Sequence, residues 1–261
     1  MNKNTDTSAA QAAQPSIERI RHELRMRTLT VSEARYLTPN MIRICLTGPE
    51  LAGFTSLSPD DHVKIFLPDG DGQELQKRDF TPRYYDPQSM TLTLDFVAHE
   101  GGPATRWAQQ ASVGQQLQLG GPRASQCLSG DIRRWLLIGD ETALPAIGRR
   151  IEELPAGVSV TSLVAVPSAA DEQRWQTRAA LSAHWLHRDL HEAADAAPFL
   201  RQLGTLALEA GTFVWIAGEA AMVKAVRRYL INERGHDKAW LKAAGYWKQG
   251  VADSNEKSID D

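Results

Sequence analysis

The feature that most constrains this chain is a change of hydrophobic period near residues 125–133. Upstream, from about Arg25 to Arg123, "MRTLTVSEARYL", "MIRICLTG", "HVKIFLP", "MTLTLDFVAH" and "GQQLQLGGP" alternate or run apolar over short lengths. The turn signals "TPN", "GPE" and "PDGDG" separate them. Five or six strands at this spacing imply a small antiparallel barrel or sandwich. One helix is expected among them, over "GGPATRWAQQASVG", with Trp107 and Ala111 on one face and Gly114 as its stop. Downstream, "WLLIGDETALPAIGRRIEELP" and "FVWIAGEAAMVKAVRRYLINERGH" each read as apolar strand, loop and helix, the second helix turning Ala221, Val223, Val226 and Leu230 inward. "VSVTSLVAVP" is another buried strand and "AHWLHRDL" a candidate third. Strands alternating with helices need crossovers, which make the sheet parallel. The expected architecture is an antiparallel β-barrel over residues 20–130 followed by a parallel-sheet α/β domain over 131–250. A disordered lead-in (1–19) and a flexible tail (251–261) are expected to flank them.

Bulk properties narrow the partners. At 261 residues, 42 % of them apolar, the chain can build two real cores. A net charge of −3 gives no overall field for nucleic acid or an acidic membrane, so an anionic ligand has to meet a local basic cluster. Two cysteines, Cys45 and Cys127, cannot make a disulfide scaffold or ligate an iron–sulfur cluster, and a reducing cytoplasm is the simplest setting. No stretch approaches the ~18 apolar residues of a membrane span. "MNKNTDTSAAQAAQPS" lacks the apolar core of a secretory signal.

Four stretches carry chemistry. In "KRDFTPRYYD" (77–86), Arg78 and Phe80 share one face of a strand, and Pro82 holds Thr81 extended while ending the strand or confining it to an edge. A cation, a flat ring and a hydroxyl gathered there suit a ligand with an anionic part and a planar part; an ordinary strand end with a solvated Arg and a core Phe is the alternative. In "HEGGPATRWA", Gly101, Gly102 and Thr105 open a helix whose free amides suit a phosphate, or else form a plain entry turn. "LLIGDETALPAI" and "WIAGEAAM" place Gly139 and Gly218 after parallel strands, where such sheets bind nucleotides, although glycine commonly ends strands and neither loop is a GxGxxG. His184, His187 and His191 would line one face of a helix in zinc-ligand fashion, but a strand, the favoured reading, separates His184 from His187.

In order and over roughly residues 20–250, "RDFT", "DFVAHEGGPATRWA", "GDETALPA", "WIAGEA" and "AGYWKQG" resemble the siderophore-interacting proteins, FAD-dependent ferric-siderophore reductases of the ferredoxin-reductase-like superfamily. The resemblance implies that Arg78 meets the FAD pyrophosphate, Phe80 (where Tyr is usual) stacks on the isoalloxazine, and Thr81 bonds near its N5. It implies a second flavin segment at Gly102, Ala104 and Thr105, with Asp95, Val97 and His99 on the strand beside it. Gly139, Asp140, Glu141, Thr142 and Ala143, with Gly218 and Glu219, would hold NADPH, or NADH. Lys64, Arg123 and Lys248 would receive the ferric siderophore as an anionic chelate, and Trp247 would pack against the flavin half or touch substrate. An external ferredoxin is an alternative donor. In "VPSAADEQRW", Ser168 and Arg174 favour a ribose 2′-phosphate while Asp171 and Glu172 favour a free hydroxyl; Arg188 adds to the former if it faces the same crevice. A less selective ferric-chelate reductase and a non-catalytic flavin- or siderophore-binding protein are the competing readings.

Overall fold

The computed structural model describes residues 14–68, 75–99, 102–251 and 259. The lead-in through residue 13, "PDGDG" beyond Pro68, Gly101 and most of the tail lie outside them.

The chain enters on β1 (Ser16–Arg21), so the expected lead-in ends earlier than residue 19. Seven strands follow in one sheet: β2 (Met26–Thr38), β3 (Met41–Thr47), β4 (Val63–Pro68), β5 (Leu75–Phe80), β6 (Tyr84–Asp86), β7 (Thr91–Val97) and β8 (Gln116–Gly120). Their order is β5-β4-β8-β2-β3-β7-β6, every pairing is antiparallel, and no pair closes β5 onto β6 among the described residues. Alternation sets which side chains enter the core: Ile42, Ile44 and Leu46 of β3 are buried, while Arg43, Cys45 and Thr47 between them are not. β5 is an edge strand, as Pro82 just beyond it requires. Helix α1 (Pro103–Gln110) follows β7. It stops short of the expected Gly114: Ala111 is already extended (φ −61°, ψ 131°), and Gly114 turns the chain at φ 95°. Strand β9 (Ala124–Ser129) pairs antiparallel with β1 as a separate ribbon.

The second half contains β10 (Arg134–Gly139), α2 (Leu144–Glu153), β11 (Ser159–Val166), β12 (Ala180–His187), α3 (Ala197–Thr205), β13 (Thr212–Glu219), α4 (Ala220–Asn232) and β14 (Leu241–Trp247). The five strands run parallel in the order β12-β11-β10-β13-β14. The middles of the central strands β10 (Trp135 to Ile138) and β13 (Phe213 to Ala217) are continuously apolar because both faces are covered. Trp135, Leu137, Phe213 and Trp215 pack on the α2 side; Leu136, Ile138, Val214 and Ile216 pack on the α3–α4 side. Helix α4 presents Met222, Val223, Val226 and Leu230 inward, whereas Ala221, expected to be buried, is exposed: it belongs to the first turn and Met222 takes its place. The tail is not wholly free of the core, since Ile259 is buried and its amide donates to the Ala243 carbonyl at 3.2 Å.

The halves are joined by specific contacts. Met41 enters the core on the α2 side, with Leu37 and Val97 packed against it. The Arg149 guanidinium donates to the Ser56 hydroxyl (2.8 Å), the Ser56 carbonyl (2.9 Å) and the Pro82 carbonyl (3.1 Å). Arg83 pairs with Glu152 at 2.8 Å, and the Asp171 carboxylate accepts from Asn40 N (2.9 Å) and Nδ2 (3.0 Å).

Candidate functional site

A cleft of about 1140 Å³ opens where the carboxyl ends of the parallel strands meet the edge of the antiparallel sheet. Arg78, Phe80 and Thr81 reach it from the end of β5, the edge position letting all three face a ligand beyond the sheet. The Phe80 ring lies 4.2 Å from Phe96, which lies 5.6 Å from Trp107, so Phe80 is a core ring with an open edge. Arg78 Nη1 donates to the Lys77 carbonyl at 2.7 Å and Nη2 to Gln76 Oε1 at 3.3 Å, which holds the side chain along its own strand. Asp95 lines the cleft from β7, and its carboxylate accepts both prongs of Arg43 at 2.7 Å. That hydrogen-bonded pairing raises the Arg43 pKa against the opposing effect of burial.

Val97, His99, Gly102, Ala104 and Thr105 line the adjoining wall. His99 lies two residues past the end of β7 rather than on it. The Thr105 hydroxyl donates to the Val97 carbonyl at 3.0 Å, pinning the start of α1 to the strand. The helix makes its first bond from the Arg106 amide to the Gly102 carbonyl, so the amides of Ala104 and Thr105 have no acceptor within the helix. A Cβ on Gly102 would come within 2.9 Å of His99 Cε1, so a side chain there would push this imidazole aside.

At the carboxyl end of the parallel sheet, Glu141 and Thr142 line the cleft; Gly139, Asp140, Ala143, Gly218 and Glu219 do not and form the layer behind it. Asp140 is fully buried and ties three strand ends together: Oδ2 accepts from the Glu219 amide (2.7 Å) and Trp247 Nε1 (3.0 Å), and Oδ1 from the Thr142 amide (2.9 Å) and hydroxyl (2.5 Å). Gly218, at φ 146°, is where a Cβ would meet Asp140 Oδ2 at 2.7 Å. Glu219 caps α4, accepting from the Ala221 (2.6 Å) and Met222 (3.0 Å) amides. Glu141 is buried and pairs with buried Arg188 at 2.9 Å. Burial and then the neighbouring Asp140 charge push its carboxyl from 4.5 to about 7, with Arg188 opposing them. Arg188 is therefore committed to Glu141, and it does not line the cleft.

The three expected substrate cations do not converge. Arg123 lines the cleft; Lys64 is paired with Asp79 at 2.7 Å, and exposed Lys248 lies beside the cleft without lining it. Other residues enter instead. Lys242 and Tyr246 come from β14 and Arg19 from β1. Lys242 pairs with Asp60 at 2.5 Å; burial acts to raise the Asp60 pKa, but the Lys242 charge and hydrogen bonds from Lys242 and Ser58 outweigh it and hold the carboxyl low. Tyr246 faces Thr81 without a full hydrogen bond, and burial pushes its phenol well above the usual value. The sequence signal for β14 was its short "LKAAGYW", which follows α4 without a glycine loop and helix of its own to mark it. Residues 180–187 form a strand, with His184 and His187 on opposite faces; His184 contacts Ser182 (3.1 Å) and His187 contacts Glu172 (2.9 Å).

Residues 132–250 match the protein family described as siderophore-interacting protein. Residues 30–77 and 70–126 match the siderophore-interacting FAD-binding domain. The chain is 34% identical over 251 residues to the NADPH-dependent ferric-chelate reductase of Escherichia coli (strain K12), covering 88% of this chain and 96% of that protein. It is 30% identical over 243 residues to the ferric vibriobactin reductase of Vibrio cholerae, covering 86% and 90%. A siderophore utilization protein from T. fusca superposes with a TM-score of 0.84 at 35% identity, over 93% of this chain and 99% of that one.

Proposed function

Because the chain belongs to the siderophore-interacting protein family, we propose that it reduces ferric siderophores with electrons from NADPH passed through FAD, freeing ferrous iron in the cytoplasm. One observation carries this reading: a single cleft joins the end of β5, the open amides of α1 and the carboxyl ends of the parallel strands. A flavin and a nicotinamide can therefore meet in it. Among the described residues no helix is long and apolar enough to cross a membrane.

The residues present suit FAD. Arg78 supplies a cation and Phe80 a ring edge, while Gly102 leaves room under His99 for a phosphate to approach the Ala104 and Thr105 amides. Thr81 brings a hydroxyl, and Asp95 and Val97 form the wall between them. Residues 20–130 would then be the FAD-binding domain and 131–250 the nucleotide-binding domain. When bound, the flavin accepts two electrons as a hydride and passes them on singly, which matches a two-electron donor to one-electron ferric iron.

The protein's part is positional. Glu141 and Thr142, which line the cleft, would face the nicotinamide dinucleotide, while Gly139, Asp140, Ala143, Gly218 and Glu219 hold the strand ends behind them. Asp171 is occupied by Asn40 and Ser168, and Glu172 by His187, so neither carboxylate stands ready for a free ribose 2′-hydroxyl. Arg174 is exposed on the same loop, an arrangement that favours NADPH over NADH. Arg123 is the expected substrate cation that remains at the cleft. The test is Arg78→Ala: the folded variant should purify with most of its FAD missing, and full flavin occupancy would remove Arg78 from the cofactor site.

A further inference from the structure

We propose that Arg19 is a further specificity-determining residue: with Arg123 it forms the anion-receiving end of the cleft and selects negatively charged ferric chelates over neutral ones, a role that rests on the reductase reading above. The register of β1 and β9 sets its direction. Arg19 pairs with Gln126 and Arg21 with Ala124, so these four side chains share one face of the ribbon, while Glu18 and Cys127 share the other. Arg19, Ala124 and Gln126 line the cleft, as does Arg123 at the entrance to β9, so that face is the one turned toward it. The ribbon's own carboxylate, Glu18, sits on the far face and leaves Arg19 unneutralised from its own strand.

The cleft's charged groups divide sharply by commitment. Of the carboxylates lining it, Asp79 is paired with Lys64 from outside the lining and Asp60 with Lys242. Asp61, the other carboxylate at this end, accepts from Ser56 (2.9 Å), the Ser58 amide (3.1 Å) and Ser125 (2.6 Å). Among the described residues no side-chain partner engages the guanidinium of Arg19 or Arg123, and both residues are exposed. Two open guanidinium forks match the paired oxygens of an anionic chelate. In a chain of net charge −3, that local cluster is what draws such a complex in. A neutral chelate receives no comparable pull.

The test uses FAD-loaded protein at matched flavin content and gallium(III) chelates, which bind like ferric ones but accept no electron. Equilibrium dissociation constants are measured for an anionic tricatecholate complex and a neutral trihydroxamate complex, at low and high salt. Arg19→Ala should weaken the anionic complex about three- to fivefold, the size of an exposed ion pair, and flatten its salt dependence. It should leave the neutral complex within error, and Arg19→Lys should restore most of the loss. Arg21→Ala, on the same ribbon face but outside the cleft lining, should change neither. Equal weakening of both complexes, or none for the anionic one, overturns the proposal alone. A wild-type protein that binds neither complex overturns the reductase reading and this proposal with it.

Discussion

Glu141 shows how a single buried side chain couples the cleft to pH. Its carboxyl is pushed from 4.5 to about 7 by burial and by Asp140, with Arg188 only partly compensating. A carboxyl whose folded value is raised favours the folded state where it is protonated. Its contribution is therefore full below about pH 4.5 and is lost as pH rises through about 7. Glu141→Gln imitates the protonated form and keeps an acceptor for Arg188. Melting temperatures between about pH 5 and 8 should fall less steeply with pH in this variant than in the wild type; parallel slopes would contradict the assignment. The motif "GDETALPA" was legible in the sequence, but the division of labour within it was not. Asp140 acts as a buried tie and Glu141 as a cleft residue because of partners more than 40 residues away, Arg188 and Glu219 among them. The same holds for Lys64, a plausible substrate cation until Asp79 on the neighbouring strand occupies it.

At the scale of elements, the strand–helix junctions carry the site. The β13–α4 junction needs Gly218 because the backbone there is at φ 146° and the Asp140 carboxylate fills the space a Cβ would take. Gly218→Ala should lower stability by about 1–3 kcal/mol from backbone strain, with further loss from the clash, as read by chemical denaturation. A change under about 0.5 kcal/mol, the usual range for a surface substitution, would show that Asp140 moves aside cheaply. Elements with strong periodicity were legible: the two strand–loop–helix units and the alternating strands appear where the pattern places them. Three were not. β1 alternates exposed charged and apolar residues and acquires its role only from β9, β14 follows α4 with little punctuation, and α3 is a short amphipathic stretch behind an alanine-rich loop. These unrecognised strands bring Arg19, Lys242 and Tyr246 to the cleft, which is why the sequence undercounted its lining.

At the scale of the whole molecule, the cleft exists only because two sheets are held at a fixed mutual position. Arg149 is central to that: three hydrogen bonds from one guanidinium reach Ser56 and Pro82 across the boundary, and Glu153 holds its Nε at 2.7 Å. Arg149→Ala should cost on the order of 2 kcal/mol or more, since charge-assisted bonds to carbonyls left unpaired are expensive. Calorimetry should then show the single transition broaden or split as the halves uncouple. A sharp transition at the wild-type temperature would mean that the Met41 contacts and the Arg83–Glu152 pair suffice.

The central claim is that electrons pass from NADPH through flavin to ferric iron in this cleft. The most direct test is the visible spectrum of FAD-loaded protein under nitrogen, before and after NADPH, then after a ferric siderophore with a ferrous-specific chelator. The account predicts that the flavin bands bleach with NADPH and return as the ferrous complex appears. Flavin that stays oxidised with NADPH, or that bleaches and then transfers nothing to the ferric chelate, would contradict it.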